Sequence, residues 1–144
     1  MNIIIKLINY PKRLLIKSKF ISKQNLKDRF SIIHKNNYWD NSETVSGPGS
    51  TMKNTVNLRK KLKKIIKKYK IKSIFDAPCG DCNWIKGIIR NSSVKYIGAD
   101  IVDEIIKKNK KKFNYKNTFF YKKDIKKNNL PKTDLFICRD FMFH

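Results

Sequence analysis

The chain has 144 residues, one domain's worth, with 40% hydrophobic residues and a formal net charge of +23. Only Arg13, Arg29, Arg59, Arg90 and Arg139 are arginines. The charge is therefore mostly lysine, which shares A/T-rich codons with the abundant isoleucine and asparagine. This argues against a base-reading surface and for nonspecific adhesion to polyanions. Three cysteines, an odd number without a secretory signal, point to a reducing, cytoplasmic compartment.

Residues 2–23 are apolar with lysines at regular intervals. They are too interrupted for a transmembrane span and too charged for a signal-peptide core. An amphipathic helix divided at Pro11 and packed on the protein is the favoured reading, with an anionic membrane surface as the alternative. Residues 24–54 read as polar and loop-like, with Tyr38-Trp39 as one large aromatic pair. Within them, Ser46-Gly47-Pro48-Gly49-Ser50-Thr51 reads either as a linker whose Ser50 or Thr51 caps the next helix, or as a flap over a ligand. From Thr55 to Tyr69, Val56, Leu58, Leu62, Ile65, Ile66 and Tyr69 recur at helical spacing, with lysines on the solvated face.

Ser73-Ile74-Phe75-Asp76 reads as a strand, Ala77-Pro78-Cys79-Gly80-Asp81 as a tight loop, and Trp84-Ile85 with Ile88-Ile89 as the start of a helix. In an open α/β sheet such a crossing lies at the carboxyl end of a strand, where backbone N–H groups face a ligand. A second strand, Lys95 to Asp100, ends on an acid that can hold both hydroxyls of a ribose; in dinucleotide folds this acid comes about 20 residues on. The next helix carries Asp103 and Glu104 in its first turn and Lys107 to Lys112 at its end, as the macrodipole favours. Thr118 to Tyr121, followed by Asp124, is a third strand, and Asp134 to Arg139 a fourth. The alternation gives a parallel sheet with right-handed crossovers.

Cys79-Gly80-Asp81-Cys82 at a strand-to-helix junction is also how thioredoxin-like redox sites are built. That chemistry leaves Asp76, Asp100 and Asp124 without a role. A metal site lacks its second Cys/His pair.

Asp76-Ala77-Pro78-Cys79-Gly80-Asp81 resembles the first motif of class I S-adenosylmethionine-dependent methyltransferases, with proline for the motif's first glycine and Cys82 where many members have the last. Tyr96 to Ile101 resembles the second motif, Lys123-Asp124-Ile125 the third, and Asp134 to Asp140 the fourth. The resemblance covers roughly residues 43–144. It implies a Rossmann-like parallel sheet of order 3-2-1-4 with flanking helices, S-adenosylmethionine as cofactor and an unknown methyl acceptor. On this pattern Asp100 accepts from the ribose diol, and Asp76, Ala77 and Gly80 meet the methionine end. Asp124 takes the adenine amino group and Ile101 and Ile125 flank the ring. Arg139 belongs with the cofactor-binding residues on this pattern, and with Asp140 and His144 it follows the fourth strand on the ligand side, where a general base stands if one is used.

Residues 55–144 then form an incomplete cofactor-binding domain preceded by a basic, amphipathic segment with a flap-like loop, 1–54. Family members continue through further strands, so the chain reads as truncated after strand four, with an apolar edge there prone to self-association. The alternative function is an inactive basic binding module for RNA or an anionic surface on the same scaffold.

Overall fold

The structure, a computed structural model, describes residues 25–90 and 93–140. His144 and the amphipathic reading of residues 2–23 fall outside them. Four parallel strands form one sheet in the order β3-β2-β1-β4: β1 Ser73–Asp76, β2 Lys95–Asp100, β3 Thr118–Lys122 and β4 Leu135–Ile137. This is the Rossmann-like order that the resemblance to class I methyltransferases implies. β1 pairs with β2 from Ser73↔Lys95 to Asp76↔Gly98, and with β4 from Ile74↔Leu135 to Asp76↔Ile137. The register sets Asp76 and Asp100 at the same carboxyl edge of the sheet. Asp134 locks the opposite edge, its Oδ2 accepting from the Lys72 and Ser73 amides at 2.8 and 2.9 Å.

Four helices accompany the sheet: α1 Leu26–Lys35, α2 Val56–Lys68, α3 Lys86–Arg90 and α4 Asp103–Lys112. The main core lies on one face of the sheet, where Ile74, Tyr96 and Phe120 meet Leu62 of α2, Ile88 and Ile89 of α3 and Ile106 of α4. The other face holds a smaller cluster of Phe75, Ala77, Ile97 and Ala99, with Ile125 packed against it. Among the described residues no helix is long and apolar enough to cross a membrane.

Three local expectations are corrected. Residues 24–54 are not all loop, because α1 occupies Leu26–Lys35. Asn25 caps it by accepting from the Asp28 amide at 3.0 Å, and its Nδ2 donates to Asp28 Oδ2. Leu26, Phe30, Ile33 and His34 fall on one face at helical spacing, a stripe interrupted by enough polar residues to pass for a loop. The cap of α2 is Thr55, not Ser50 or Thr51; Pro48–Ser50 instead forms a short 3-10 turn. Finally, α3 begins at Lys86, with Trp84 and Ile85 buried in the turn before it.

Candidate functional site

The β1 strand runs out at Asp76, and the loop that follows crosses the carboxyl edge of the sheet. Its path is held by backbone: the Ala77 amide donates to Ile137 O at 2.9 Å, and the Cys79 amide to Ala99 O at 2.8 Å. At the crest Gly80 adopts φ +53, and a Cβ there would collide with the Ser46 hydroxyl, so the position favours glycine on both counts. Cys82 stands in the left-handed region as well, at φ 55. That is the conformation for which a glycine would serve at this position. The cysteine is kept in it by packing: it is fully buried, and its Sγ lies 3.5 Å from the Tyr96 hydroxyl and 3.6 Å from Asn109 Nδ2. Burial raises the Cys79 thiol well above its ordinary range. Both cysteines are buried and free, and buried thiols of this kind ordinarily serve packing.

A cavity of about 350 Å³ opens against this loop, within the size range of small-molecule and cofactor sites. Of the residues singled out in the sequence, Asp76, Gly80, Asp100, Ile101, Asp124 and Ile125 line it together, as do Arg139 and Asp140. Ala77 does not reach the cavity; its side chain is fully buried beneath, in the second cluster.

Asp100 is the anchor of the wall. Its Oδ2 accepts from the Gly80 amide at 3.1 Å and its Oδ1 from the Val102 amide at 3.0 Å. The two amides belong to the loops after β1 and β2, so one carboxylate joins them. A carboxylate has about four lone-pair sites; with the Ile101 amide bonding as well, about one remains for a ligand. Burial pushes its pKa up, outweighing the amides of Val102, Gly80 and Ile101, which pull it down.

Asp76 is more deeply buried, and its Oδ2 accepts the Tyr96 hydroxyl at 2.6 Å. Burial raises the carboxyl to about 7, with the Tyr96 hydrogen bond and the Arg139 charge pulling it down and Asp100 adding to the rise. A cation arriving in the cavity stabilises the ionised form. Asp124 caps its own turn, Oδ1 accepting from the Lys126 amide at 3.0 Å.

The third wall comes from the segment before the first strand. Asp81, next to the crest glycine, gathers that segment. It accepts the Thr44 hydroxyl on both oxygens, at 2.9 and 2.8 Å, the Val45 amide at 3.1 Å and the Ser46 hydroxyl at 3.0 Å. Asn83 adds bonds from Nδ2 to Glu43 Oε1 at 2.7 Å and to Ser50 O at 3.1 Å. From the far side Arg139 donates to Ser50 Oγ at 2.7 Å, lies over the Trp84 ring at 5.1 Å and pairs with Asp140 at 2.8 Å.

Ser46 to Ser50 thereby line the cavity. Sequence reasoning missed Asp81, Asn83 and Glu43 as the residues that hold this flap, and missed α1. The latter contributes Leu26, Phe30, Ile33 and His34 to the cavity wall. The signal for α1 was the Asn25–Asp28 cap followed by the apolar stripe; for the flap holders a single sequence offers none, since their partners lie more than thirty positions away.

No family model and no curated protein matches the chain. Among solved structures it is similar to a dimethyladenosine transferase from Plasmodium falciparum. The identity is 30% over 54% of this chain and 30% of that one, with a TM-score of 0.43. The chain thus spans less than a third of that protein's length.

Proposed function

We propose that the cavity binds S-adenosylmethionine and that the chain is a class I methyltransferase or its cofactor-binding half. The observation that carries this reading is Asp100, a buried carboxylate at the end of β2. Both its oxygens are fixed by loop amides, and it stands on the wall of a nucleoside-sized cavity. A ribose hydroxyl can donate to the site left on such a carboxylate, the contact that dinucleotide folds use at the end of this strand.

The other walls fit the rest of the molecule. Ile101 and Ile125 offer apolar faces to an adenine ring, with Asp124 beside them for its amino group. Gly80 lets the chain pass close to the ligand without a side chain between. Asp76, raised to about 7, is a carboxyl whose ionised form an ammonium or sulfonium favours. When bound, the cofactor supplies a methyl group on a positively charged sulfur, already an activated leaving group.

This chain's residues then have little bond-making to do. The flap and α1 exclude water from one side. Arg139, held by Ser50 and stacked on Trp84, stands with Asp140 at the end of β4, where an acceptor is to be aligned. Alignment is worth up to about 7–11 kcal/mol in such reactions. An acceptor aligned there would release its proton on taking the methyl group. Asp140 is the described carboxylate placed to receive it.

Calorimetric titration with S-adenosylhomocysteine tests the reading. Binding that Asp100→Ala weakens by an amount typical of lost charged hydrogen bonds, about 1.5–3 kcal/mol, supports it. A folded chain that takes up no ligand at millimolar concentration contradicts it.

A further inference from the structure

Arg139, on the cavity wall, is held from two sides. Its guanidinium carbon lies 5.1 Å from the centre of the buried Trp84 ring. One terminal nitrogen, Nη2, donates to Ser50 Oγ at 2.7 Å and pairs with Asp140 Oδ2 at 2.8 Å. The indole and these two oxygens fix where the group sits. Its other nitrogens are left over: Nε and Nη1 bond to nothing among the described residues, and neither is among the polar atoms sealed from solvent. A guanidinium cannot give up its charge, so these N–H groups stand ready for an anion at any working pH.

The sheet decides which part of a ligand they meet. Arg139 follows shortly after Ile137, the register partner of Asp76 in the neighbouring strand. The two strands run about 4.8 Å apart, and the Ala77 amide donates to Ile137 O at 2.9 Å. Arg139 and Asp76 therefore rise from adjacent strand ends, and both line the cavity with Gly80 and Trp84. Lys123, also on the wall, follows β3 at the opposite side of the sheet, and its ammonium donates to Asn129 O at 2.7 Å. The fixed cation thus stands beside the carboxyl proposed to meet an ammonium.

We propose that Arg139 is a specificity-determining residue, its free N–H groups taking the carboxylate of the cofactor's amino-acid end while Asp76 takes the ammonium. This rests on the cavity's being an S-adenosylmethionine site. The pair forms a clamp for a zwitterion, and a nucleoside without that end gains nothing from it. A zwitterion is neutral as a whole, so the chain's net charge of +23 does not draw it in. The preference comes from charges held in place. Stacking on Trp84 and the bond to Ser50 hold the guanidinium before the ligand arrives, which lowers the cost of ordering it on binding.

The test compares S-adenosylhomocysteine with methylthioadenosine, which keeps the adenine, the ribose and the thioether and lacks the amino-acid end. Calorimetry with both ligands is run on the wild-type chain, Arg139→Gln, Arg139→Lys, Ser50→Ala and Asp100→Ala, with a thermal melt of each protein to confirm folding. Wild type should prefer S-adenosylhomocysteine, and Asp100→Ala should weaken both ligands. Arg139→Gln is expected to weaken S-adenosylhomocysteine about ten- to a hundredfold, the range for a lost charge-assisted hydrogen bond, and to change methylthioadenosine by less than about twofold. Arg139→Lys, the milder change, should show a smaller loss confined to the same ligand, and carries the comparison where glutamine unfolds the chain. Ser50→Ala removes the flap contact and keeps the guanidinium, so the preference should survive in it. If wild type binds both ligands equally, or the Arg139 variants bind both like wild type or weaken both alike, the proposal fails while the cofactor site stands. A preference lost as fully in Ser50→Ala would show that Arg139 acts only through the flap, and overturns the proposal equally. A folded wild type that binds neither ligand overturns the cofactor reading, and this inference with it.

Discussion

Thr44 donates its hydroxyl to both carboxylate oxygens of Asp81, 37 positions along the chain, at 2.9 and 2.8 Å. With the Val45 amide and the Ser46 hydroxyl on the same carboxylate, this side chain holds the flap against the loop that crosses the sheet. Asp81→Ala removes all of these acceptors at once and leaves the Val45 amide and the Thr44 hydroxyl to water. The expected loss of stability is about 2–3 kcal/mol by urea denaturation, within the range for breaking a partly buried network. Limited proteolysis should show new cleavage between residues 44 and 50. Asp81→Asn, which keeps an acceptor oxygen, should lose less.

Gly98 predicts a steric effect. It sits in the middle of β2, and a Cβ there would come within 2.7 Å of the Phe120 ring and 3.1 Å of the Tyr96 ring. Both rings are buried in the main core, so relief requires shifting a packed side chain. Gly98→Ala should destabilise the protein by about 1–3 kcal/mol, the usual cost of overpacking, measured as a shift in the denaturation midpoint at unchanged slope.

The elements with a strong local signature were legible in the chain. β2 runs from Lys95 to Asp100 as its apolar run predicts, and α2 forms where the helical spacing placed it, with Leu62 and Ile66 on the core while Val56, Leu58, Ile65 and Tyr69 of the expected stripe stay exposed. β2 is buried on both faces, which a continuous apolar run reveals, and α2 on one, which the helical spacing reveals. The strand order was not in the spacing at all; it followed from the motifs' resemblance to a family. What stayed hidden was held by distant partners. Ser50 looks like a helix cap because its neighbours suit one, but Arg139, 89 positions away, takes its hydroxyl. Cys79-Gly80-Asp81-Cys82 has the spacing of a redox pair, and only the three-dimensional setting, with both thiols buried around Asn109, shows its packing role.

Asp76 predicts a pH dependence of stability. Its carboxyl titrates at about 7 in the folded chain and near 4 when unfolded. Between those values the unfolded chain has lost a proton that the folded chain keeps. Stability from this group therefore falls as pH rises from about 4 to about 7 and is level above. Asp100, also raised, acts in the same direction. His34, lowered, acts oppositely, costing stability as pH drops below its ordinary value near 6.5. Asp76→Asn keeps an acceptor for the Tyr96 hydroxyl and has no proton to lose. The difference in stability between variant and wild type should be small at pH 4 and grow in the variant's favour up to neutrality. Denaturation midpoints at half-unit pH steps provide the check.

The lysine excess predicts adhesion that salt dissolves. Lys60, Lys61, Lys63, Lys64, Lys67 and Lys68 all lie exposed on α2. Without a fixed fork of arginines, contacts to a polyanion should be loose. Retention on RNA or anionic vesicles should be measurable at about 50 mM salt and lost well before about 0.5 M, with no preference among sequences. Sequence-selective binding that survives the higher salt would favour the basic binding module over the methyltransferase.

The most direct test of the cofactor site is the calorimetric affinity for S-adenosylhomocysteine of the wild-type chain beside Asp100→Ala, with folding of both confirmed by circular dichroism. The predicted result is saturable binding at one site per chain, weakened at least tenfold by the alanine, the factor that corresponds to about 1.4 kcal/mol. Equal binding by the two proteins, or none by a folded wild type, would contradict the assignment of this cavity to a nucleoside cofactor.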